Sequence, residues 1–89
     1  MKIEYSKRFV KDFRNSPKYI RNKFKLCLEI FIKNKNNRLL NNHPLVGKLS
    51  GYRSINITGD WRAIFEELND NIEITAYFIA IGTHSQLYT

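Results

Sequence analysis

His43 and His84 are the two imidazoles of the chain. An imidazole with an ordinary pKa of about 6.5 exchanges a proton near neutrality, which makes histidine the commonest general acid or base. Most lone histidines are polar residues with satisfied hydrogen bonds. These two, however, fall outside the regular elements, at the entry to a sheet and at its exit, where acid–base groups tend to sit. Asp60 follows Gly59 in a tight turn, the ordinary place for a turn-forming aspartate. Trp61 opens the next strand; a tryptophan usually fills a core, but at a strand end it also offers a face for base stacking. Arg62 follows in an otherwise apolar strand, and Arg53 has a similar setting. A strand arginine usually faces water. Two on one open face would clamp a phosphate through their forked donors.

Other chemistries find no support. Two isolated histidines and the single Cys27 provide neither a zinc ligand set nor a disulfide framework. Gly47-Lys48 lacks the rest of a phosphate-binding loop. Cys27 falls on an apolar helix stripe and reads as a small core residue. No apolar run is long enough to span a membrane, and residues 1–5 carry no secretory signal, so a cytoplasmic protein is expected.

These residues need a scaffold. Residues 2–5 read as a short strand. Ser6 is a fitting N-cap for a helix to about Arg14, with Phe9, Val10 and Phe13 on one face. Ser16-Pro17 predicts a second start, Ser16 as N-cap and Pro17 in the first turn, with the helix running to about Lys35. Ile20, Phe24, Cys27, Leu28 and Phe31 form its apolar stripe. The asparagine-rich stretch 34–42 ends it, with Leu39 and Leu40 able to form one more helical turn. From Gly51 the period changes to two. Residues 52–58, 61–68 and 72–81 read as three strands joined by turns at 58–60 and 69–71, an antiparallel meander. Helices before strands, without alternation, predict an α+β fold: two N-terminal helices packed on a twisted, mainly antiparallel four-stranded sheet.

The 89 residues amount to one domain, 1–89, with 43% hydrophobic and 13% aromatic residues to build its core. Charge is unevenly spread: residues 1–48 hold thirteen basic and three acidic residues, whereas residues 49–89 hold two basic and five acidic. A net charge of +7 favours a polyanionic partner. A basic α+β domain with His, Asp, Arg and aromatic groups near one end of a sheet suits metal-free RNA cleavage, and equally RNA binding without chemistry.

Three segments together resemble a known family. His43-Pro44-Leu45-Val46-Gly47-Lys48-Leu49-Ser50-Gly51-Tyr52-Arg53 resembles the "HPL-x-G-x-x-x-GYR" segment of RelE-superfamily toxins, in particular their YafQ-like branch. Gly59-Asp60-Trp61-Arg62 is similar to that branch's hairpin and following strand. Ile81-Gly82-Thr83-His84-Ser85-Gln86-Leu87-Tyr88 is similar to its "GTH-x-x-L-aromatic" ending. Order, spacing and length agree over essentially the whole chain.

The resemblance implies the toxin half of a type II toxin–antitoxin pair. It implies a ribosome-dependent endoribonuclease that cuts mRNA in the A site of the 70S ribosome without cofactor or metal, by attack of the 2′-OH on the adjacent phosphate. It singles out His43, Asp60 and His84 as acid–base groups, with His84 protonating the leaving oxygen and His43 or Asp60 activating the 2′-OH. Arg62 would stabilise the phosphorane-like transition state, Trp61 and Tyr88 would position bases or sugar, and Lys48 and Arg53 would hold RNA backbone. An acidic antitoxin would cover the basic surface, forming an oligomer with the toxin. The basic N-terminal half would dock on rRNA and antitoxin. Two positions depart from the branch's pattern: Asn56 stands where histidine is common, and Ala80 where arginine is common. They leave open a non-nucleolytic member, either an inactive toxin or one acting on DNA gyrase as the ParE-like branch does. The HPL and GTH motifs argue against the gyrase branch.

Overall fold

A computed structural model describes residues 1–88 of the chain. Strand β1 (Lys2–Tyr5) leads into helix α1 (Lys7–Arg14), and helix α2 (Lys18–Lys33) follows. A 3₁₀ turn (Arg38–Leu40), the two-residue strand β2 (His43–Pro44) and a second 3₁₀ turn (Gly47–Leu49) come next. Strands β3 (Arg53–Asn56), β4 (Trp61–Asn69) and β5 (Ile74–Thr83) form the meander, and the one-turn helix α3 (His84–Leu87) follows. The α+β class and the meander are as the sequence predicts. The sheet, however, has five strands and not four, in the order β1-β5-β4-β3-β2. The additional strand is His43–Pro44, which pairs antiparallel with β3 at the sheet edge. Proline lacks an N–H for a second ladder, so an edge is where it fits. β1 pairs with β5 in parallel; every other pair is antiparallel.

Ser6 caps α1 as expected, its Oγ accepting from the Phe9 N–H at 3.0 Å. The same hydroxyl donates to the Ile79 carbonyl at 3.1 Å, which fastens the start of the helix to β5. Ser16 does not cap α2. Its buried hydroxyl donates back to the Asp12 carbonyl at 2.7 Å, closing α1, and Pro17 takes the N-cap position. α2 ends at Lys33 and not Lys35, because Asn34 is already extended. β5 starts at Ile74 and ends at Thr83, two residues later at each end than the pattern suggests. The cause lies in the preceding turn. Asp70 Oδ1 accepts from the Glu73 and Ile72 N–H groups at 2.8 and 3.0 Å, and Asn71 takes a left-handed φ of 74°. The Glu73 and Ile72 donors also hold the Asp70 carboxyl below the usual aspartate range.

The core lies between the two helices and one sheet face. Phe9 from α1 and Ile20, Phe24, Cys27 and Phe31 from α2 meet Ile55, Ala63, Phe65, Ala76, Phe78 and Ile81 from the sheet. Burial raises the Cys27 thiol pKa, with nearby Lys23 pulling the other way. That fits a packing residue better than a nucleophile. Phe78 is fully buried, with five aromatic rings within 6.1 Å of its own. No helix is long and apolar enough to cross a membrane among the described residues. Truncating Phe78→Ala removes the hub of this cluster and should cost about 3–5 kcal/mol. Denaturant unfolding measures it; a loss below about 1 kcal/mol would mean that the ring is not central to the core.

Candidate active site

Directly paired residues on neighbouring antiparallel strands point to the same side of the sheet. Ile55, Ala63 and Ile81 form one such row and face the helices. The neighbouring rows, His43–Ser54–Ile64–Ala80 and Asn56–Arg62–Gly82, therefore face the other side. The alternation survives into β5 because of a bulge. Phe65 pairs with Phe78 but Ile64 pairs with Ala80, so Ile79 is the extra residue. That single insertion lets both Phe78 and Ile81 join the core while Ala80 and Gly82 turn to the open face. Bulges commonly re-aim side chains in this way beside functional sites.

The open face carries a groove of about 400 Å³ lined by Asn41, His43, Leu45, Val46, Leu49, Arg62, His84 and Tyr88. His43, Arg62, His84 and Tyr88 are thus brought together from β2, β4, α3 and the residue after α3. The lining holds a guanidinium and two imidazoles and no carboxylate. Such a groove attracts an anion.

Each side chain has a local cause. The asparagines of the stretch after α2 shape the approach to His43. Asn34 Oδ1 accepts from the Asn36 N–H at 3.1 Å, and Asn37 caps the 3₁₀ turn by accepting from the Leu39 N–H at 2.9 Å. Asn41 reverses the chain at a left-handed φ of 47°. Asn42 donates to the Lys35 carbonyl at 3.0 Å and accepts from Arg53 Nε at 2.8 Å. His43 Nδ1 lies 2.8 Å from the Asn41 carbonyl. A carbonyl only accepts, so Nδ1 carries the proton and Nε2 is left to exchange one.

Arg62 Nη1 donates to the Thr58 and Trp61 carbonyls at 2.9 and 3.2 Å, which anchors the guanidinium over the β3–β4 turn. His84 is the first residue of α3. Its N–H donates to the Asp60 carbonyl at 3.0 Å. Thr83 and Gln86 form a reciprocal capping box around the start of that helix. Gly82 makes room for it, since a Cβ there would stand 2.9 Å from Gln86 Oε1. The His84 and Tyr88 rings pack at 4.6 Å, tilted by 55°.

The remaining candidates sit elsewhere. Arg53 and Arg62 do not share an open face. Arg53 is paired with Phe65, a core residue, so its side chain belongs to the helix side and bonds Asn42 instead. Trp61 packs against the core and lines a separate hollow with Arg8, Asp12 and Asn15, away from the groove. Asp60 is exposed on its turn and does not line the groove; its backbone, not its carboxylate, holds His84. Lys48 is exposed on the 3₁₀ turn that also supplies Leu49 to the groove wall. Sequence reasoning missed Asn41, which orients His43, and Ser54, whose Oγ accepts from the Tyr88 hydroxyl at 3.2 Å. β3 reads Arg-Ser-Ile-Asn, so its pattern gave no signal that Ser54 is buried. No three His, Cys, Asp or Glu side chains converge as a metal site would require, among the described residues.

The fold is shared with known proteins. A family model described as the bacterial toxin of a type II toxin–antitoxin system, YafQ, matches residues 1–89. The crystal structure of YafQ from E. coli strain BL21(DE3) is similar at 31% identity and a TM-score of 0.78, over 98% of this chain and 97% of that one. The E. coli DinJ–YafQ toxin–antitoxin complex contains a chain similar at 32% identity and a TM-score of 0.76, over 98% and 96%. The RelB–RelE antitoxin–toxin complex from Methanococcus jannaschii shares the fold at 24% identity and a TM-score of 0.68, over 96% and 94%. No curated protein sequence gives a match.

The Asn41 carbonyl should hold neutral His43 in its Nδ1–H tautomer. Long-range ¹H–¹⁵N spectra recorded above the histidine titration should show that pattern for His43. An Nε2–H pattern would mean that the bond is not made in solution.

Proposed function

The chain belongs to the YafQ family of toxins from bacterial type II toxin–antitoxin systems, and from that premise we propose that it is a ribosome-dependent endoribonuclease cleaving mRNA in the A site without a metal ion. Toxins of the YafQ and RelE kind are in general endoribonucleases. The observation that carries the proposal is the groove, where His43, His84 and Arg62 converge without a carboxylate.

Cleavage of RNA by its own 2′-OH needs three services. A base takes the 2′-OH proton as the O2′–P bond forms, and an acid gives a proton to O5′ as the P–O5′ bond breaks. A cation meets the charge that builds on the non-bridging oxygens. The products are a 2′,3′-cyclic phosphate and a 5′-OH. His84 is assigned as the acid and Arg62 as the cation. His43 is favoured over Asp60 as the base, because its Nε2 is the free nitrogen and its ring lines the groove that His84 also lines. Tyr88 offers a ring to base or sugar, and Lys48 stands outside the groove where flanking backbone would pass. Arg53 and Trp61, on the helix side, are left with positioning the loop and filling the core.

An acidic antitoxin is the proposed protein partner, forming an oligomer with this chain. The solved E. coli relative is bound to DinJ. The exposed lysines and arginines of α1 and α2 give such a partner a basic surface to neutralise. The ribosome as target places the action in the cytoplasm.

Primer extension on translating ribosomes tests the reading. Wild type should create new 5′ ends, and His84→Ala should slow their appearance by about 10²- to 10⁴-fold. Unchanged cleavage by His84→Ala would remove it as the acid. Asn56 and Ala80 favour the second reading, a non-nucleolytic toxin. Growth arrest that survives the His43→Ala/His84→Ala double variant, with mRNA intact, would establish it.

A further inference from the structure

Ser54 has an unusual position for a hydroxyl. It sits in β3 beside Ile55, is fully buried, and lies on the open-face row between His43 and Ile64. Its Oγ accepts from the Tyr88 hydroxyl, which reaches back from beyond α3, 34 residues later in the chain. The Tyr88 ring in turn packs against the His84 ring at 4.6 Å. α3 is a single turn of four residues, too short to hold its own conformation. Its near end is fixed by the capping box and the Asp60 carbonyl. Its far end is fixed by the Tyr88 side chain.

We propose that Ser54 is a positioning residue for catalysis: by accepting from the Tyr88 hydroxyl it pins the end of α3 to the sheet and so holds the His84 imidazole in the groove shared with His43. The role rests on the endoribonuclease reading for its catalytic consequence, but not for its structural one. Ser54 is fully buried, so it acts through Tyr88 and not on the substrate. The partnership needs a hydroxyl on both residues; a phenylalanine at 88 would supply a ring of the same size but lose the tether that holds it against His84.

Ser54→Ala, Tyr88→Phe and the double variant test it in two ways. In the purified toxin, the His84 ring protons should lose the shift imposed by the Tyr88 ring in both single variants alike. On translating ribosomes, each single variant should lower kcat by about threefold to tenfold, the worth of one net hydrogen bond. KM should change little, and the double variant should lose no more than either single one. Multiplying losses, or wild-type kcat in both single variants, would overturn the positioning role. If wild type itself cleaves nothing, the endoribonuclease reading fails and the spectra alone decide the tether. Unmoved His84 signals in Tyr88→Phe and Ser54→Ala would overturn that too.

Discussion

Phe78 sets which way the sheet faces. Its ring lies among those of Tyr5, Phe9, Phe24, Phe31 and Phe65, and it is fully buried. That cluster commits one face of β5 to the helices. Strand alternation and antiparallel pairing then carry the decision to β4 and β3. Arg62, Ser54 and Asn56 face away from the helices because Ala63, Phe65 and Ile55 must face them. A one-residue slip in register would send Arg62 into an aromatic core. The groove is thus the reverse side of the packing, and the cost of burying a guanidinium helps enforce it.

The same division separates two surfaces. The thirteen basic residues of the first 48 lie mainly on α1, α2 and the loops after them, and most of those on the helices are exposed. The groove, on the other side of the sheet, contains one guanidinium and two imidazoles. A dense positive field on one side draws a polyanion from a distance. A sparse, fixed set on the other suits work on one phosphate. The basic helix surface and the groove therefore lie on opposite sides of one sheet.

Much of this was legible in the chain. The α+β order, the Ser6 cap and the α2 stripe follow from periodicity and capping chemistry, because each is a local pattern. The fifth strand was not legible: two residues show no period, and His43–Pro44 becomes a strand only by pairing with β3. The β5 bulge was hidden for a related reason. Residues 74–83 are apolar at almost every position, so the pattern does not reveal that Ile79 is the extra residue. That hidden insertion also determines which of Ala80 and Ile81 faces the groove. The proposed face-sharing of Arg53 and Arg62 failed on parity. Nine positions apart across a turn, their faces depend on the pairing register, with Asn56 opposite Arg62 and Arg53 opposite Phe65. Motif resemblance located His43, His84 and Tyr88, but could not tell that Trp61 and Asp60 lie outside the groove.

The departures at Asn56 and Ala80 bear on the same face. Asn56 stands directly opposite Arg62, and Ala80 lies one row away, opposite Ile64. An alanine at 80 removes a possible cation from β5, which leaves Arg62 on β4 as the charged side chain of the groove lining. Its Nη1 is spent on two turn carbonyls, so the guanidinium is held before any anion arrives. A cation fixed in advance does not have to reorganise when charge develops, which is where electrostatic catalysis draws its strength. Asn56 keeps its Oδ1 buried without a partner among the described residues. An unpaired buried acceptor is a local cost of about 1–3 kcal/mol. It stands across from Arg62, the guanidinium of the groove lining. Arg62 sits on β4, the strand that Phe65, packed on Phe78, fastens to the core.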